Sequence, residues 1–193
     1  MNYFISDLHF GHGNCLAFDN RPFNNIEDHD AYLIKAWNDT VGIDDDVYIL
    51  GDISWASSTK TIEIFKQLNG NKHLIKGNHD GRLLKNAELR RLFVEITDYK
   101  ELDIGNGLGV VLCHYPIPCF KNHFYGWYHL YGHVHTSFEW NMMENTKRLM
   151  TELYDKQCHM YNVGAMIPYM GYTPRTLEQI IAGEECTVSN DSK

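Results

Sequence analysis

The sequence predicts an α/β fold with mixed sheets. Three observations carry that prediction. Short apolar runs bounded by glycine or proline alternate with helical patterns, the second half turns to hairpin-like strands, and each strand leads straight into a cluster of Asp, Asn or His. Five runs read as buried strands: Tyr3–Ile5, Val47–Leu50, His73–Ile75, Gly109–Leu112 and Trp127–Tyr131.

Helices are expected between them. Ile26, Leu33, Ile34, Trp37 and Val41 share one helical face, with Asn25 as N-cap and Glu27 and Asp28 in the first turn. Ile62, Phe65 and Leu68 form a second stripe closed by Gly70. A third helix is expected from Gly81 to Arg91 and a fourth over Asn145–Asp155. Thr176-x-x-Gln179 has the form of a capping box, opening a short helix that stops at Gly183. From Phe93 to Leu112, β-branched and aromatic residues around Gly105-Asn106-Gly107 predict an antiparallel hairpin.

At 193 residues and 44% hydrophobic content, a single domain spanning residues 1–193 is expected. The net charge of −8 argues against extended nucleic-acid binding, which uses a broad cationic surface, but leaves a focal phosphate site open. No run approaches the ~20 apolar residues that span a bilayer, so no membrane partner is expected. The first ten residues lack the form of a secretory signal. Five scattered cysteines without a C-x-x-C pair point to a reducing, cytoplasmic compartment. Oligomeric state has no signature in the sequence.

Histidine carries more information, with eleven in the chain. Asp7, His9, Asp52, Asn78, His114, His133 and His135 all lie just past predicted strands, where open α/β sheets collect functional groups. Asp7-x-His9 and His133-x-His135 place pairs of donors two residues apart, on one side of an extended segment. Mixed oxygen and nitrogen donors suit Mn, Fe, Zn or Co better than Mg or Ca. Seven side chains exceed what one ion needs and match two divalent ions sharing one carboxylate. Such a pair would activate a bridging hydroxide for in-line attack on phosphorus, which points to a phosphoester hydrolase.

Asp7-x-His9, Gly51-Asp52, Gly77-Asn78-His79-Asp80, His114 and Gly132-His133-x-His135, in this order, resemble the calcineurin-like metallophosphoesterase superfamily. Phe10-Gly11-His12, Asn20-Arg21-Pro22-Phe23 and Asn162-Val163-Gly164 are similar to its compact bacterial and phage-type branch. The resemblance implies two mixed β-sheets packed as a sandwich with flanking helices, a four-layer αββα arrangement. It implies Asp7, His9, Asp52 and His135 around one metal, and Asp52, Asn78, His114 and His133 around the other. It also implies His79 as the catalytic acid to the leaving group, with Asp80 orienting its ring.

Arg21 is the candidate phosphate clamp and His12 a candidate substrate contact. The Phe124–Tyr128 segment reads either as an aromatic wall for a planar group or as core packing. His29 is expected to be solvated, and His73 and His159 to sit in strands without a role at the site. Cys113, Trp37 and Trp140 read as packing residues. The substrate expected is a phosphorylated small molecule or nucleotide, with phosphodiesters preferred. The rival readings are a phosphomonoesterase acting on nucleotides or phosphoproteins, a nuclease, which the net charge of −8 and the lack of a basic run weaken, and a non-catalytic protein-binding scaffold of the same fold.

Overall fold

The computed structural model describes residues 1–191, and the side chains of residues 1–186. The order along the chain is β1 (Asn2–Ile5), α1 (Cys15–Phe18), α2 (Ile26–Thr40), β2 (Asp46–Ile49), α3 (Ser58–Phe65), β3 (Asn71–Ile75), α4 (Ala87–Arg90) and β4 (Glu95–Thr97). There follow β5 (Tyr99–Gly105), β6 (Leu108–Cys113), β7 (Tyr128–Tyr131), α5 (Phe138–Tyr154), β8 (Met160–Asn162) and α6 (Leu177–Asp191).

Two four-stranded sheets result, ordered β1-β2-β3-β4 and β5-β6-β7-β8. In the first, every ladder is parallel, and an antiparallel bridge from Phe4 to Arg175 adds the mixed character at its β1 edge. In the second, β5 and β6 form the expected hairpin, followed by parallel β6-β7 and β7-β8 ladders.

Alternation along the second sheet shows how the layers stack. Val110, Leu112, Leu130 and Tyr161 belong to the large core, together with Tyr3, Val47, Leu74 and the α2–α3 residues Leu33, Trp37, Ile62 and Phe65. Their neighbours Val111, Tyr131 and Met160 point the other way, into a smaller cluster with Met150 of α5. That period of two is what a sheet covered on both faces requires. Trp37 is almost wholly buried, and its indole N–H donates to Asn69 O at 3.0 Å, so its apolar body is sequestered with its polar atom satisfied.

Several helix boundaries differ from the sequence reading, each for a local reason. Asn25 caps α2 as expected, accepting from the Asp28 amide. The α3 helix stops at Phe65, so Leu68 and Gly70 (φ +79°) lie in the turn beyond it. The expected Gly81–Arg91 helix breaks into a 3-10 turn at Leu83–Lys85 and the short α4, because the Asn86 side chain accepts the amides of Glu88 and Leu89 and starts a new helix. The α5 helix begins seven residues earlier than Asn145, at Phe138, where Ser137 supplies the cap, and it ends with Asp155 in the left-handed region. Thr176 and Gln179 form the reciprocal capping box, but α6 runs past Gly183 to Asp191.

The Phe93–Leu112 stretch divides between the sheets: Glu95–Thr97 pairs in parallel with β3, and only Tyr99 onward enters the hairpin. His159 precedes β8 rather than lying in it. His29, expected in solvent, is fully buried between Arg21 and Asp30.

The sheets meet at the carboxyl end of β1. Ser6 N–H donates to Val163 O and Ala165 N–H to Ser6 O, both at 2.8 Å, so the segment after β8 continues alongside the segment after β1. Asp7, His9 and Phe10 in turn donate their amides to Gly51, Asp52 and Ile53 carbonyls. The loops leaving both sheets are thereby laced together at one end of the sandwich.

His129 is a core residue. Its Nδ1 bonds Val111 O at 3.0 Å, and its Nε2 accepts the Ile117 amide at 3.0 Å, which fixes a neutral ring. Burial depresses its pKa to about 4. The unfolded chain therefore takes up a proton near pH 6.5 that the folded chain refuses until about pH 4. The stability contribution is complete above pH 6.5 and is lost as pH falls toward 4, by roughly 2 kcal/mol at pH 5 from this group. Urea unfolding at a series of pH values measures that loss, and an NMR titration of the ring should place its midpoint well below 6.5.

Candidate metal centre

Five of the seven donor residues have left-handed backbone: Asp7 (φ 54°), His9 (52°), Asp52 (54°), His133 (70°) and His135 (48°). Asp, Asn and His tolerate that region better than other residues with a side chain. Each turn swings its side chain off the strand direction toward a common point. Gly51, at φ +88°, permits the close approach of the segments that follow β3 and β6, since a Cβ there would lie 2.5 Å from Gly77 N and 2.6 Å from His114 Nδ1.

The side chains converge. His9 Nε2 and His135 Nε2 are 3.3 Å apart, and Asp7 Oδ1 lies 3.7 Å from His135 Nε2. Asn78 Oδ1 sits 3.0 Å from both His114 Nε2 and His133 Nδ1. Asp52 Oδ2 stands between these groups, 4.0 Å from His9 Nε2 and 3.7 Å from His114 Nε2. Asp7, His9 and His135 offer donor atoms within 4.8 Å of one another, and so do Asp7, Asp52 and His114.

At two of the histidines a hydrogen bond on the outer nitrogen leaves the inward one free of a proton in the neutral ring. His114 Nδ1 donates to Leu50 O at 2.6 Å, and a carbonyl can only accept, so the Nε2 of the neutral ring carries a lone pair. His135 Nδ1 donates to Asp19 Oδ1 at 2.8 Å, with the same result for its Nε2 when neutral. Burial, with Arg21 and His135 nearby, holds the His9 pKa well below its ordinary value, and burial beside His114 lowers that of His133. For His135, burial acts downward, but the bond to Asp19 and the charge of Asp7 outweigh it and the net shift is upward. His9 Nδ1 is buried without a hydrogen-bond partner. Two imidazole nitrogens in contact beside buried carboxylates form a mixed nitrogen and oxygen donor set of the kind a divalent cation fits.

His79 stands at the rim. Its amide donates to Asp52 Oδ1 at 3.0 Å, and its half-exposed ring brings Nε2 to 3.9 Å from Asp52 Oδ2. His12 stacks on Trp55, with ring centroids 4.4 Å apart, and also lies 5.4 Å from the His9 ring.

Two expected site residues act elsewhere. Asp80 does not reach the His79 ring. Its buried carboxylate accepts the amides of Gly77 (2.7 Å), Ile53 (2.9 Å) and Asp52 (3.1 Å), pinning one donor loop to another. Burial raises its pKa, partly offset by those amides. Arg21 does not face the site as a phosphate clamp. Its guanidinium is buried and donates to Asp19, to the carbonyls of Asp7 and Leu8, and to His29 Nε2.

Asp19 is the residue that sequence reasoning missed. It joins His135 to Arg21, and the chain of contacts continues through His29 to Asp30, whose carboxylate accepts the Gly11 amide. Asn162 adds a bond from its Nδ2 to His135 O. The aromatic rim is also not the Phe124–Tyr128 segment, where Phe124 packs on His123 and Tyr154. Phe18 borders His9 and His135, Trp55 borders His79, and Tyr115 borders His114 and His133.

Comparison with known proteins agrees with this geometry. Residues 3–162 match the pattern of the calcineurin-like phosphoesterases. Protein MJ1445 of Methanocaldococcus jannaschii is 38% identical over 137 residues, covering 70% of this chain and 69% of that protein. The gene 66 protein of Mycobacterium phage D29 is 31% identical over 171 residues, covering 76% of this chain and 84% of that one. The crystal structure of protein AQ665 from Aquifex aeolicus shares the fold, with a TM-score of 0.69 at 25% identity over 94% of this chain and 98% of that one.

Asp19 orients His135, so Asp19→Asn should weaken divalent-metal binding by about 10- to 100-fold. Calorimetric titration of Mn into both proteins checks this, with circular dichroism confirming that the variant folds. Unchanged affinity would remove Asp19 from the account.

Proposed function

Because the chain belongs to the calcineurin-like phosphoesterase family of metal-dependent phosphoester hydrolases, we propose that it cleaves phosphodiesters, with His79 as acid to the leaving group. Asp7, His9, Asp52 and His135 are assigned to one cation and Asp52, Asn78, His114 and His133 to a second, with Mn, Fe, Zn or Co as the candidate ions. When bound, such ions acidify the attacking water and offset charge on the phosphoryl oxygens.

The position of His79 carries the reading. It is the one histidine of the group held at the rim with its ring half-exposed, while its backbone is tied to Asp52. A ring so placed can bring a proton to an alkoxide as the phosphorus–oxygen bond breaks. The withdrawal of Arg21 into the loop network favours a diester over a monoester. A monoester dianion carries an additional charge, and the guanidinium that would meet it is buried and fully engaged. Retention of all seven donors and His79 favours an enzyme over a scaffold.

No helix of the described residues is long and apolar enough to cross a membrane. Cys15, Cys113 and Cys158 are buried as thiols, which fits a reducing compartment, and the cytoplasm is assigned on that ground.

An acid matters most where the leaving group is poor. His79→Ala should lower kcat on an alkyl-linked diester such as thymidylyl-thymidine by roughly 10²- to 10⁴-fold, and much less on bis-p-nitrophenyl phosphate, whose nitrophenolate departs without a proton. Metal content should be unchanged. Equal losses on both substrates would reject His79 as the acid. Chelation should abolish turnover of both substrates, and Mn should restore it; turnover that survives chelation would reject the metal-dependent reading.

A further inference from the structure

Next to His79 lies a cavity of about 280 Å³ lined by Ser54, Trp55, Asn78, His79, Gly81 and Arg82. Asn78 belongs both to this cavity and to the donor cluster, so the two spaces adjoin. Resting on the reading of His79 as the acid, we propose that this cavity is the leaving-group subsite and that it takes a nucleotide, making a 5′-phosphorylated dinucleotide the substrate class. The group attached to the oxygen that His79 protonates has to lie on the His79 side of the phosphorus, which is this cavity.

Its lining specifies what that group is. Trp55 is 43% exposed, unusual for an indole, and its ring is held in place by the His12 stack behind it and by His79 at 4.8 Å. A preset aromatic surface at the edge of a cavity suits a planar base. Arg82 supplies a cation. One guanidinium nitrogen donates to the carbonyls of Trp55 (3.3 Å) and Ala56 (3.1 Å), which ties it to the same loop. Among the described residues no carboxylate pairs with Arg82 within 4.0 Å, so its charge is left for an anion. A ring and an anion on one alkoxide describe a nucleotide. They do not describe a serine or threonine side chain. The volume falls just below the ~300–1,000 Å³ usual for small-molecule pockets, which limits the occupant to one such unit. The net charge of −8 disfavours a long strand continuing beyond it.

In the reaction one P–O bond forms to water and the P–O3′ bond breaks. The departing O3′ receives its proton from His79, and a proton from the water passes to solvent. From pTpT both products are thymidine 5′-monophosphate.

The test uses the full chain loaded with Mn. Values of kcat/KM are measured on pTpT, TpT, bis-p-nitrophenyl phosphate and a 5′-phosphorylated thymidine strand of ~20 nucleotides. Wild type should prefer pTpT to TpT by about fivefold or more and should cleave the long strand more slowly than pTpT. Arg82→Ala should erase the pTpT preference, and Arg82→Lys should keep part of it. Trp55→Ala should lower kcat/KM on pTpT about fivefold or more, chiefly through KM, with Trp55→Phe retaining most of it. Independently of turnover, thymidine 5′-monophosphate added to metal-free protein should quench tryptophan fluorescence, and Trp55→Phe should lose that quenching. The proposal falls if pTpT and TpT are equivalent in wild type, if the long strand is preferred, if either alanine variant behaves as wild type, or if no quenching occurs. Cleavage of bis-p-nitrophenyl phosphate without cleavage of pTpT would overturn the subsite and leave the phosphodiesterase reading standing. Cleavage of neither would overturn both.

Discussion

Everything at the candidate metal centre depends on gathering polar groups that are costly to bury close together. Two carboxylates, an amide oxygen and four imidazoles crowd into a space where His9 and His135 present nitrogens to each other at 3.3 Å. Their backbones sit in the left-handed region at five positions, a conformation that costs free energy for any residue with a Cβ. Neither arrangement stabilises the fold. The surrounding structure has to hold both in place, and the fold can be understood as the means by which it does so.

The means are short and local. The ends of β1, β2 and the segment after β8 are bonded to one another through Ser6, Val163, Gly51 and Asp52, so donors that are distant in sequence share one backbone framework. Buried carboxylates then fasten loop to loop. Asp80 gathers amides from both donor loops, and Asp19 with Arg21 binds the α1–α2 connection to His135 and to the carbonyl of Asp7. Each of these carboxylates is satisfied by several donors, which is the condition under which a buried charge can be tolerated. Beneath them the large apolar core supplies the free energy that the strained site consumes.

The histidines show how surroundings divide one residue type into different tasks. At His129 both ring nitrogens are satisfied by backbone, and burial keeps the ring neutral. At His114 and His135 one nitrogen is tied and the other is turned inward as a donor. His79 is held through its backbone and leaves its ring at the surface, beside Trp55 and the cavity. The side chain is the same; which of its nitrogens is already engaged decides what it can do.

Five strands, the alternation with helices and the gathering of Asp, Asn and His at the strand ends were legible in the sequence, because apolar periodicity and Asp-x-His or His-x-His spacing are local properties of a chain. Helix ends were less so: the Asn86 cap and the continuation of α6 through Gly183 turn on hydrogen bonds and packing that no short window contains. The contacts of Arg21, Asp80, Asp19 and Trp55 were set only by the tertiary structure. An arginine in a polar loop reads the same whether it meets a phosphate or, as here, the carbonyls of Asp7 and Leu8, and a lone Asp or Trp has no spacing to betray it. Sequence determines which chemical groups are available at the strand ends. Which of them face the reaction and which hold the others in position is set by contacts between segments far apart along the chain, and those exist only once the sheets have come together.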